Sequence, residues 1–144
     1  MFFLLLLLLA WLLLNELAPL ALLYGAKREH PMPWALIRRA RFYSSEKLTG
    51  GIACSCVVGP YFIIMAHPRV YTERMDLVLA HEIGHCVLGH LRWRWLAQVT
   101  GAALLPWVQR RVAKFEGEAN DWAFALMRRR ENERTQHGSQ ILVP

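Results

Sequence analysis

Histidines at positions 81 and 85, with a glutamate at 82, form a stretch whose residue types and spacing could do chemistry. On a helix, residues four apart share a face, so both imidazoles can converge on one cation without bending the backbone. Glu82 lies about 100° round the helix from His81, where it can reach a metal-held water without taking a coordination position. His81-Glu82-Ile83-Gly84-His85 is therefore the pattern of a zinc hydrolase in which the glutamate serves as base. Such a centre needs a third protein ligand and an open fourth position, and the third donor must come from another segment.

Glu116-Gly117-Glu118-Ala119-Asn120 offers that donor. From Pro106 to about Arg130, the apolar residues Val108, Val112, Phe115, Ala119, Trp122 and Leu126 recur in steps of four and three, one buried stripe of a helix. Glu116 falls about 80° to one side of the stripe, beside Ala123 and Met127, on a small apolar flank. Glu118 falls about 80° to the other side, where Lys114 would make a solvated pair with it. The third ligand is accordingly assigned to Glu116. Asn120 stands one turn beyond it and is placed to orient a ligand or a ligating imidazole from behind.

His81 to His85 followed by Leu88-Gly89-His90, then Glu116-x-x-Ala119-Asn120 and the apolar run Trp122 to Met127, resembles the ImmA/IrrE group of small gluzincin-like metallopeptidases. The resemblance covers about half the chain, roughly from Gly51 to Arg128. It implies zinc held by His81, His85 and Glu116, Glu82 as general base, and regulated cleavage of a repressor-like protein. One departure is that Met127 is followed by Arg128-Arg129-Arg130 in place of a Met-Pro pair. The metzincin pattern is excluded, because Gly89 and His90 are each one residue out of step with it. Membrane gluzincins of the HtpX type, which share the first motif and a later Glu-x-x-x-Asp helix, are the enzymatic alternative. A catalytically inactive, membrane-tethered metal-binding module for regulation or interaction is the non-enzymatic one.

In the expected reaction, zinc acidifies its water and polarises a peptide carbonyl, and Glu82 takes the proton and passes it to the leaving amine. His90, His67 and Tyr71 are candidate oxyanion donors by nearness in sequence. His90 would point about 140° away from His85 on an ideal helix. Either it ends that helix after a turn at Gly89, where like Asn120 it is placed to support a ligand from behind, or it turns to donate to the reacting carbonyl.

The elements that position these residues follow from length and pattern. A chain of 144 residues predicts one domain. The run from Met1 to Tyr24 is apolar for the length of a bilayer and has no basic residue before it, so it reads as a retained anchor, not a cleaved signal. Asn15, Glu16 and Pro19 are awkward for a lipid-facing helix, and the alternative is a partner helix or a shorter hydrophobic segment docked on the domain. Lys27, Arg28, Arg38, Arg39 and Arg41 follow the run, which places a single-pass protein's catalytic domain in the cytoplasm. Three cysteines, Cys54, Cys56 and Cys86, agree with reduced core thiols in that compartment, and a thiol metal cluster is the minor reading. The net charge of +6 is scattered, without a nucleic-acid motif; anionic lipid explains it at least as well, and no nucleic acid is expected.

The divisions are residues 1–24 as anchor, 25–50 as a basic juxtamembrane segment, 51–131 as the metallopeptidase domain and 132–144 as a tail without an assigned role. Pro33 to Tyr43 has helical character with a basic face, and Ser44 to Gly51 is a polar connection. Ile52, Cys54, Cys56 and Val58 alternate with smaller residues and, after Gly59-Pro60, the apolar run Tyr61 to Met65 follows, predicting two strands joined by a tight turn. Thr72 caps the next helix, with Glu73 in its first turn. The fold class is α+β: an N-terminal transmembrane helix, then a short sheet packed on two zinc-site helices. The strand pair either binds an extended peptide at its edge or is simply core. Trp93 to Trp107 reads either as a membrane-docking loop or as a helix hairpin packed in the core.

Overall fold

The hairpin forms as its sequence requires: strands β3 (Ala53–Val58) and β4 (Tyr61–Ala66) pair antiparallel, with Val58 opposite Tyr61 and Ala53 opposite Ala66. Gly59 turns the chain at φ +55°, left-handed backbone that glycine adopts without a β-carbon clash. The structure is a computed structural model that describes the backbone of residues 2–30, 39–48, 53–73 and 75–140, with the side chains of the N-terminal helix in part and those of the C-terminal helix as far as residue 135. Ile52, the stretch 31–38 and the apolar end of the tail at Ile141-Leu142-Val143 lie outside the described residues.

Strand β2 (Ala40–Ser44) lies parallel to β4 on the side away from β3, and β1 (Lys27–Glu29) pairs antiparallel with β2. The sheet is four-stranded and mixed, in the order β1-β2-β4-β3, and draws two of its strands from the stretch 25–50. Strand β2 corrects the helix expected up to Tyr43. Ala40, Phe42 and Ser44 are buried in alternation, the period of a strand, and a parallel partner some twenty residues later leaves no local turn signal. The face of β3 turned to the helices also differs from expectation: Ala53 and Val57 pack against the core there, so Ser55 shares that face and Cys54 and Cys56 point the other way.

Helix α1 spans Phe2–Leu23 and touches β3 and the helix that begins at His90. Among the described residues no helix is long and apolar enough to cross a membrane. Pro68 opens α2 (Pro68–Thr72), where the His67 ring accepts the Arg69 N–H at 3.3 Å. Thr72 therefore closes one helix and does not cap the next. Its hydroxyl is spent on the carbonyls of Pro68 and Arg69, while α3 (Asp76–Val87) begins at Met75 with Asp76 in its first turn. Gly89, at φ +77°, turns the chain into α4 (His90–Val99), and a short 3-10 turn at Ala102–Leu104 leads to α5 (Pro106–Gln140). The Trp93 to Trp107 stretch is thus a helix hairpin, with Trp93 edge-on to both Trp107 and Phe115.

The core joins Phe42, Ile64 and Ala66 of the sheet to Val70, Leu79, Ile83 and Leu91 of the helices. Each large aliphatic side chain so buried contributes on the order of 1.5–3 kcal/mol. Val108, Phe115 and Ala119 of the expected stripe on α5 are buried and Val112, Trp122 and Leu126 are half-buried, while Ala123, on the flank beside Glu116, is buried as well. Helices α3 and α5 cross closely because Gly84 has no side chain: a β-carbon there would stand 3.2 Å from the Ala119 carbonyl oxygen and 3.3 Å from the Ala119 Cα. Arg130 donates to Asp76 of α3 at 2.9 Å, and α5 continues past it to Gln140.

Candidate metal centre

His81 and His85 lie one turn apart on α3, and the crossing at Gly84 brings α5 against that face. Their Nε2 atoms stand 3.1 Å apart. The Glu116 Oε2 atom completes a triangle, 3.3 Å from His81 Nε2 and 3.4 Å from His85 Nε2. A tetrahedral zinc with bonds of about 2.0–2.1 Å has donor-to-donor edges of about 3.3–3.4 Å, so the three atoms match one face of that tetrahedron. Two bare imidazole nitrogens and a carboxylate oxygen facing one point are all acceptors, which is a donor set for a cation and a poor arrangement without one. Among the described residues, these three are the cluster of metal-capable side chains, and no fourth protein donor joins them.

Each imidazole is held from behind. His81 Nδ1 lies 2.8 Å from Asn120 Oδ1, so its proton sits there and Nε2 is left with a lone pair. His85 Nδ1 faces His90 Nδ1 at 3.1 Å, and His90 Nε2 faces Glu118 Oε2 at 3.0 Å. Burial, with help from the His81, His90 and Arg94 charges and against the pull of Glu116, pushes His85 down to about 4. The ring is therefore neutral at ordinary pH, the form a metal requires.

Glu82 is buried on α3 and takes no part in the triangle. Burial raises its pKa above the ordinary carboxylate range, the Ser55 hydroxyl that donates to it at 2.5 Å and the His81 charge hold it back, and Glu116 pushes it further up. A carboxylate raised in this way beside a metal-capable cluster is suited to taking up a proton. Arg94, from α4, stands 3.7 Å from Glu116 Oε1 and leaves Oε2 to the imidazoles. A cleft beside Arg94 is lined by Ala97, Gln98, Val108, Gln109 and Val112.

The structure brings together His81, His85, Glu116, Asn120 and His90. It takes His67 and Tyr71 elsewhere: the His67 ring caps α2, and the Tyr71 hydroxyl donates to the Tyr43 carbonyl at 3.2 Å. His90 has both nitrogens engaged within the cluster. Ser55, Arg94 and Glu118 were missed by sequence reasoning. For Ser55 a signal existed, a hydroxyl between Ala53 and Val57 on the inward face of a strand. Glu118 does pair with Lys114 at 3.4 Å as expected of a surface residue, but its other oxygen serves His90. Comparison with protein-family models, curated proteins and solved structures finds no match.

Proposed function

We propose that the chain is a membrane-anchored zinc metallopeptidase that hydrolyses a peptide bond of a protein substrate, a regulatory protein if the resemblance to the ImmA/IrrE group extends to its targets. The observation that carries this reading is the triangle of His81, His85 and Glu116 donors, with edges of 3.1 to 3.4 Å, and a buried carboxylate beside it that is not a ligand. A structural zinc site is closed by a fourth protein ligand and has no use for such a base, which favours the enzyme over an inert metal-binding module.

When bound, the zinc would polarise the scissile carbonyl and make a water acidic enough to attack near neutral pH. Glu82 takes the proton from the attacking water and delivers it to the departing amine. Ser55 fixes the carboxylate that performs both transfers, through its 2.5 Å hydrogen bond. Arg94 is the cation the site offers to charge developing on the carbonyl oxygen. The cleft beside it, with Ala97, Val108 and Val112 in its wall, suits a modest aliphatic side chain of the substrate. Strand β3 is an edge of the sheet and carries Ser55, so an extended peptide added along it would run past Glu82.

Anchoring rests on the sequence, on the apolar run from Met1 to Tyr24 that contains α1 and on the basic residues that follow it. Exposed Leu104 and Trp107 at the α4–α5 turn would sit at the interface, with the domain on the cytoplasmic side. The deciding experiment is substrate profiling by mass spectrometry of the full-length protein against Glu82→Gln. The variant is expected to bind zinc and to lose cleavage; cleavage undiminished in Glu82→Gln would remove the base, and an absence of bound metal in the wild type would remove the centre.

A further inference from the structure

Both ring nitrogens of His90 are used, and the ring is 3 % exposed and stacked on Phe115 at 4.1 Å between centroids, 13° from parallel. A buried histidine satisfied on both sides has no need of a metal. The order of its partners, however, leaves only one arrangement of protons for neutral rings. The Glu118 carboxylate can only accept, so His90 Nε2 must donate to it across their 3.0 Å contact. The neutral His90 ring then has a lone pair on Nδ1 and must accept there. The hydrogen of the 3.1 Å contact between the two Nδ1 atoms therefore belongs to His85. With its proton on Nδ1, His85 presents a bare Nε2, the atom that stands 3.1 Å from His81 Nε2 and 3.4 Å from Glu116 Oε2.

We infer that Glu118 and His90 are positioning residues in series: a surface carboxylate, acting through a buried imidazole, fixes the tautomer and direction of the metal ligand His85. The inference rests on the reading of the cluster as a metal centre. Helix α5 then supplies the ligand Glu116 and two orienting groups, Glu118 for His85 and Asn120 for His81, on alternate residues. Because all three come from one helix, a single packing contact at Gly84 sets them together.

The test uses the full-length chain in detergent micelles, with zinc affinity measured against a chromophoric chelator and the imidazole tautomers of the metal-free protein read from nitrogen-15 shifts. Glu118→Ala removes the terminal acceptor from a surface position, and zinc binding is expected to weaken by roughly 10- to 100-fold, as for other partners of metal ligands. In the same variant the proton of His85 is expected to spread over both nitrogens. Glu118→Gln keeps a carbonyl acceptor and recovers most of the affinity. Lys114→Ala removes only the surface pair and leaves affinity and tautomer as they were. Combining Glu118→Ala with His90→Phe weakens binding no further than His90→Phe alone, since groups in series are not additive. Zinc affinity unchanged in Glu118→Ala, with the His85 proton still on Nδ1, would overturn the inference. A wild type that takes up no zinc would instead overturn the metal centre, while the tautomer measurement in the metal-free protein still judges the series on its own.

Discussion

Two sets of metal-capable side chains share this small domain: the imidazoles of His81 and His85 between α3 and α5, and the thiols of Cys54 and Cys56 on β3 and Cys86 on α3. Burial acts on both and has opposite consequences. It disfavours charge, so it keeps His85 neutral, with its pKa down at about 4, and neutral imidazole is the ligand. The same burial pushes the thiols of Cys56 to about 11 and Cys86 to about 12, and a protonated thiol is not a ligand. The imidazoles also have partners that aim them, Asn120 and His90. Metal-capable residues become a site when their surroundings leave the donor atom bare and pointed, and density of such residues alone does not achieve this.

The sharpest way to break the comparison is to remove one imidazole and, separately, the two thiols of β3. His85→Ala is expected to weaken zinc binding on the order of 100-fold or more by chelator competition, given the several kcal/mol each ligand contributes. Serine at Cys54 and Cys56 together is expected to leave zinc affinity unchanged; a comparable loss there would mean that the thiols share the centre. Gly84→Val strikes what brings the imidazoles to their third partner. Side-chain atoms would be forced against the Ala119 backbone and Trp122, at a cost of about 1–3 kcal/mol in denaturant melts and with weaker zinc binding as α5 is pushed away.

Smaller effects test how the surroundings tune each group. The Ser55 hydrogen bond lowers the pKa of Glu82 against the larger effect of burial. Ser55→Ala therefore raises it, and the acidic limb of the cleavage profile should move to higher pH. An acidic limb that stays in place would free Ser55 from that role. For Cys56 the folded value near 11 lies above the ordinary 9.0, so between these pH values the unfolded chain holds fewer protons than the folded one. Stability therefore falls as pH rises through that window. In the native protein, alkylation of Cys56 at neutral pH should be slower than that of a free thiol by roughly 100-fold, following the thiolate fraction, and mass spectrometry of a timed series would detect it.

The site was more legible than the sheet. His81, Glu82 and His85 are read from one helical turn, and Glu116 from the angle it makes with the apolar stripe of α5, because both arguments need only the helical repeat. The β3–β4 hairpin was legible for a similar reason: Gly59-Pro60 stands between two apolar runs. Strand β2 was not, since its partner β4 is remote in sequence and parallel to it. Ser55 and Arg94 escaped notice because their roles depend on which face of β3 meets α3 and on where α4 turns after Gly89.

Glu118 marks the boundary between the two kinds of knowledge. Its place on α5, opposite Glu116 and one turn from Lys114, was settled by the order of residues, because a helix repeats every 3.6 residues whatever surrounds it. That its carboxylate ends a chain of hydrogen bonds leading through His90 to His85 was settled only when two helices crossed at Gly84 and the Gly89 turn brought His90 back between them. Spacing along one helix names the atoms that can bind a cation. Long-range packing decides which of them are bare, aimed and close enough to do so.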